Sequence, residues 1–106
     1  MKLLQTLIYE NAVEKGFWSD ENPNIPEKLA LIHGEVSEAL EDYRDGLMEV
    51  WFDDDGKPCG FPTELADTVI RCLDLAAHLG IDLGSVMVIK MQYNKGREHM
   101  HGGKKC

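Results

Sequence analysis

An all-α fold, an antiparallel four-helix bundle with a small hairpin-like insertion between the second and third helices, is predicted by three features of this sequence. Apolar residues recur at three- and four-residue spacing in four separate segments. Each segment is closed by a glycine, at Gly16, Gly46, Gly80 and Gly96. Between the second and third of these segments, the stretch 47–61 breaks the period, pairing a short apolar run with a turn-forming Asp53-Asp54-Asp55-Gly56. At 106 residues and 43% hydrophobic, the chain forms one domain, 1–106, whose core is modest enough to call for completion by a partner subunit.

The first helix runs from Leu3 to about Lys15 on Leu3, Leu4, Leu7, Ile8 and Ala12. Residues 17–25 mix turn formers with Phe17 and Trp18 and read as a loop. Pro26 suits the first turn of the second helix, and Glu27 complements its dipole. The stripe Leu29, Ile32, Val36, Ala39, Leu40 and Tyr43 carries that helix to Gly46. Met48 to Phe52 and Lys57 to Gly60 form the two arms of the hairpin. Pro62 and Thr63 open the third helix, whose stripe is Leu65, Val69, Cys72, Ala76 and Leu79. Asp82 caps a fourth helix that runs from Leu83 through Val86, Ile89 and Tyr93 to Gly96. Residues 98–106 have no periodicity and read as a flexible basic tail.

Charge is distributed unevenly. Residues 1–89 hold 18 acids and 6 bases, whereas residues 90–106 hold five bases against Glu98, so an acidic body ends in a basic segment. A net charge of −8 argues against binding a nucleic-acid polymer. Three cysteines without a C-x-x-C pair suggest neither a disulfide framework nor a zinc knuckle, and a reducing cytoplasm is the expected home. No long apolar segment predicts a signal peptide or a membrane span.

Two carboxylate pairs carry the chemistry: Glu35-x-x-Glu38 on the second helix and Glu64-x-x-Asp67 on the third. Each i, i+3 pair projects from one face, roughly 90 to 150° from the centre of its helix's apolar stripe. If the helices pack antiparallel, stripe to stripe, matching flanks fall on the same side and the four carboxylates gather at one edge of the core. The condition is an axial offset of about 12 Å between Glu38 and Glu64, which the intervening excursion is long enough to allow. Such a cluster repels itself unless a hard divalent cation is shared. Mg²⁺ fits best, because it accepts carboxylates, keeps waters and recruits phosphates, and Mn²⁺ is an expected substitute. A di-iron site would need Glu-x-x-His pairs, which neither motif supplies.

The ordered set Gly34-Glu35-Val36-Ser37-Glu38-Ala39-Leu40-Glu41, Glu64-Leu65-Ala66-Asp67, Lys90 to Arg97 and His101-Gly102-Gly103-Lys104-Lys105 resembles the MazG-like, all-α nucleotide pyrophosphohydrolases over nearly the whole chain. The resemblance implies an Mg²⁺-dependent enzyme that cleaves a nucleoside triphosphate between its α and β phosphates, giving the monophosphate and pyrophosphate. It also implies Glu35, Glu38, Glu64 and Asp67 as metal ligands, with Glu35 and Glu38 as the candidate catalytic carboxylates. Many members of that family have a glutamate directly before the first motif residue, where this chain has Gly34. Either no separate base is needed, one of the four carboxylates serves, or activity is weak.

Lys90, Asn94 and Arg97 lie within about 60° on one face of the fourth helix and are candidate phosphate donors. Trp18 is the candidate that stacks on a base. The assembly expected is a homodimer or homotetramer. The alternative function is a non-catalytic, metal-binding helical module for dimerisation or interaction.

Overall fold

A computed structural model describes residues 1–97; the basic tail at 98–106, with His99, His101, Lys104 and Lys105, lies outside the described residues. The chain is mostly helical. Helix α1 spans Lys2–Glu14, α2 spans Ile25–Arg44, α3 spans Phe61–His78 and α4 spans Leu83–Lys95. Between α2 and α3, strands β1 (Trp51–Phe52) and β2 (Pro58–Cys59) pair antiparallel, with Trp51 opposite Cys59 and Phe52 opposite Pro58. The side chain of Asp53 closes this hairpin by accepting the amides of Asp55 and Lys57, each at 2.9 Å.

The helix ends follow local chemistry. Asn24 Oδ1 accepts the Glu27 amide at 3.0 Å, with Pro26 in the first turn of α2. Asp82 caps α4 through the amide and hydroxyl of Ser85. At the end of α1, Gly16 takes φ +83°, and the amides of Gly16 and Phe17 turn back to Val13 and Ala12. That pairing satisfies two terminal carbonyls and turns Phe17 off the helix axis.

Helix α3 is the hub: α1 and α2 pack on it. The α2–α3 pair is antiparallel, because Tyr43 near the end of α2 meets Phe61 at the start of α3, while Glu35, two turns earlier, meets Arg71. The Phe61 amide donates to Leu47 O at 2.8 Å, so the hairpin excursion returns the chain beside the end of α2 and absorbs the axial offset. Leu73 is fully buried at the centre, with Leu75, Ala76, Ala12 and Ala39 around it. Gln5 is buried among them. Its amide nitrogen donates to Leu73 O and Ile81 O at 3.2 and 2.8 Å, and its oxygen accepts the Leu83 amide at 3.3 Å.

The apolar stripes enter the core of the single chain only in part: Ala39 and Ala76 are buried, but Val36 and Leu40 on α2 are 53% and 48% exposed, and Leu65 and Val69 on α3 are 48% and 50% exposed. The α2–α3 contact lies nearer the polar rows of the two helices than the centres of their stripes. The all-α character is as expected, whereas an antiparallel four-helix bundle is not seen within the one chain: α3 and α4 bend by 112° across residues 79–82 and α4 meets α3 only weakly. No residue of α4 is buried. Among the described residues, no single helix is long and apolar enough to cross a membrane.

Candidate metal centre

Every fourth or third residue along one side of α3 is polar: Glu64, Asp67, Arg71, Asp74 and His78. Glu35 and Glu38 bring the matching side of α2 against the first half of this row. Ligand oxygens of Glu35, Glu64 and Asp67 lie within 4.8 Å of one another, and all three residues are partly buried. The Glu38 carboxyl hydrogen-bonds Glu64 but lies outside that close trio. The two motifs thus converge from antiparallel helices.

Electrostatics record the crowding. Burial pushes the Glu64 carboxyl up to about 7, helped by the hydrogen bond and charge of Glu38 and by the charges of Asp67 and Glu35. Asp67 is also raised, first by burial and then by Glu35, while Arg71 and Lys57 oppose the shift. The Arg71 Nε donates to Glu35 Oε1 at 2.8 Å, leaving a guanidinium as the only cation paired with the cluster among the described residues. Glu35 Oε2 and Glu64 Oε2 are buried without any hydrogen-bond partner. Two orphaned acceptors, an all-oxygen donor set and a spacing within 4.8 Å fit a hard divalent cation.

The centre forms part of the wall of a cleft between α1 and α2, floored by α3. Asn11, Phe17, Arg71 and Asp74 line it together with Glu35 and Asp67. Trp18 lies to one side. Its indole stacks on His78 with centroids 3.8 Å apart, donates Nε1–H to Asp74 Oδ1 at 2.9 Å and has Lys28 Nζ 4.9 Å from the ring. His78 Nδ1 in turn meets the Tyr9 hydroxyl at 3.0 Å.

Lys90 and Asn94 share one face of α4, but the helix ends at Lys95 with Gly96 as its cap, so Arg97 lies beyond it rather than on the expected face. Lys90 and Arg97 lie over the ring of Tyr93, and Arg97 Nη1 donates to Asn94 Oδ1 at 3.3 Å. They are not brought to the carboxylates within the chain: α4 bends away at 112°, so it travels back along α3 by only about a third of its length. At Gly34 an added Cβ would meet open space.

Arg71 and Asp74 escaped sequence reasoning, although the signal was present: they extend the Glu64–Asp67 pair at the same helical spacing. Comparison with protein-family models, curated proteins and solved structures finds no match to this chain.

Proposed function

We propose that this chain is an Mg²⁺-dependent nucleoside triphosphate pyrophosphohydrolase that releases a nucleoside monophosphate and pyrophosphate. The observation that carries the reading is the convergence of Glu35, Glu64 and Asp67 with two buried, unpartnered carboxylate oxygens on the wall of an open cleft. The MazG-like resemblance of the motif set supports the same chemistry. A bound Mg²⁺, or Mn²⁺ in its place, supplies positive charge for phosphate oxygens and acidifies water. Glu35, Glu64 and Asp67 would hold it, with Glu38 completing the set from beside Glu64. With Gly34 carrying no side chain, Glu38, the most exposed of the four carboxylates, is the one free to accept a proton from the attacking water. Arg71 limits the repulsion of the empty cluster and keeps Glu35 oriented.

The phosphate donors belong to the same reading through a homodimer, or a homotetramer built from it. Lys90 and Asn94 lie on a helix with no buried residue, Arg97 lies just past its end, and much of the apolar stripes of α2 and α3 is exposed as well. A second copy that covers those faces completes a four-helix antiparallel arrangement and carries one α4 toward the carboxylates of its partner.

The test is pyrophosphate release from a nucleotide panel with Mg²⁺, run beside Glu38→Gln and Asp67→Asn. Both variants should fold and lose turnover, and near-normal rates in both would overturn the site. Cation binding without turnover of any nucleotide would favour the non-catalytic module instead.

A further inference from the structure

The cleft does not end at the carboxylates. It continues along α3 from Asp67 to Asp74, a distance of about 10 Å at 1.5 Å per residue, comparable to the span from a nucleotide's α-phosphate to the far edge of its base. Phe17 and Asn11 stand on its α1 side. A second cavity adjoins it, sharing Phe17, Arg71 and Asp74 and closing on Trp18 and Lys28.

Asp74 is held in one orientation by a chain of contacts that has no part in the metal centre. Trp18 Nε1 donates to Oδ1, the indole is fixed against His78, and His78 is fixed by Tyr9. Asp74 lines both cavities, so its carboxylate can accept a hydrogen bond from their contents. Burial raises the Asp74 carboxyl above its ordinary value, and the Trp18 hydrogen bond, Lys28, His78 and Arg71 offset part of that rise. Phe17, turned off the end of α1 by the Gly16 cap, is 60% exposed and lines both cavities, whereas Trp18 already has His78 stacked on it.

We infer that this cleft selects a nucleotide whose base carries an exocyclic amine, the amine donating to the Asp74 carboxylate while the Phe17 ring covers the face of the base. The phosphate end of this inference rests on the hydrolase reading above. A base with a carbonyl at the same position would set oxygen against carboxylate with no proton between them, and a site built for a donor rejects the analogue that lacks it. Trp18 then acts as a positioning residue for Asp74 rather than as the stacking platform.

Two substrate pairs exchange the amine for a carbonyl, the adjoining ring nitrogen gaining a hydrogen as they do: CTP against UTP and ATP against ITP. Calorimetry with their α,β-methylene analogues and Mg²⁺ should show the amine member binding about tenfold tighter in whichever ring size the cleft admits. Asp74→Asn keeps an oxygen for Trp18 and offers a donor to the carbonyl, so it should erase or reverse the ratio. Phe17→Ala should weaken both members alike. Melting curves of the variants confirm that each is folded. A ratio near one, or a ratio that Asp74→Asn leaves unchanged, overturns the inference. Steady-state turnover of the hydrolysable nucleotides separates the two readings. Turnover without discrimination leaves the hydrolase and removes the base contact; discrimination in binding without turnover does the reverse. An absence of both overturns both.

Discussion

Glu64 is the residue on which the electrostatics of the centre turn. Its carboxyl ionises at about 7 in the folded protein against an ordinary 4.5, because burial and three neighbouring carboxylates disfavour its charge. Between those two values the folded protein keeps a proton that the unfolded chain has released. Stability of the metal-free protein is therefore fully supported below about 4.5 and falls as pH rises through 7. Asp67, raised in the same direction, adds to the slope. The melting temperature without metal should be higher at pH 5 than at pH 7.5, Glu64→Gln should flatten most of the difference, and Mg²⁺ should raise the melting temperature chiefly at the alkaline end. A flat metal-free profile would contradict this account. The carboxylates were legible because each motif places two acids one turn apart. The partners that orient the site were not: pairing of Arg71 with Glu35 requires knowing that α2 and α3 are antiparallel and in register, which spacing within one helix cannot supply.

The elements were legible almost in full, since their signals are local. Pro26, Asp82 and the glycines after α1, α2 and α3 mark helix ends through the hydrogen bonds they allow or forbid. The core was not, because an apolar stripe says which face seeks burial and not which molecule provides it. Val36 and Leu65 satisfy the helical period yet remain half exposed in one chain, while buried Gln5 has a polarity that hides it from any apolar pattern. The join between hairpin and α3 rests on Gly60. It takes φ +107°, its carbonyl accepts the Glu64 amide at 3.1 Å, and a Cβ there would run into the backbone of Glu49. Gly60→Ala should therefore cost about 2 kcal/mol or more and weaken metal binding by shifting the start of α3. Gly34→Ala, in a helix interior facing open space, should instead stabilise by up to about 1 kcal/mol. Chemical denaturation of the two variants reads both signs, and equal effects would refute the argument.

At the scale of the molecule, the exposed stripes of α2 and α3 and the uncovered α4 make association with a second copy the expected source of remaining stability. The melting temperature should then rise with protein concentration. If α4 also serves the partner's carboxylates, Asp67→Asn and Arg97→Ala are each defective alone but complementary when co-refolded. Random pairing of two such chains restores about a quarter of the intact sites. Activity no greater than that of the parents would place α4 and the carboxylates in one chain's service. The three hydrogen bonds of Gln5 have a consequence in time rather than in space. They tie the first turns of the chain to Leu73, Ile81 and Leu83, 68 to 78 residues further on, whereas the α2–α3 pair closes over a shorter separation, 36 residues between Glu35 and Arg71. A contact that must wait for so long a loop to close forms after the folding barrier. Gln5→Ala should thus leave the refolding rate nearly unchanged and accelerate unfolding, so the residue governs how long the native protein lasts and not how quickly it is reached.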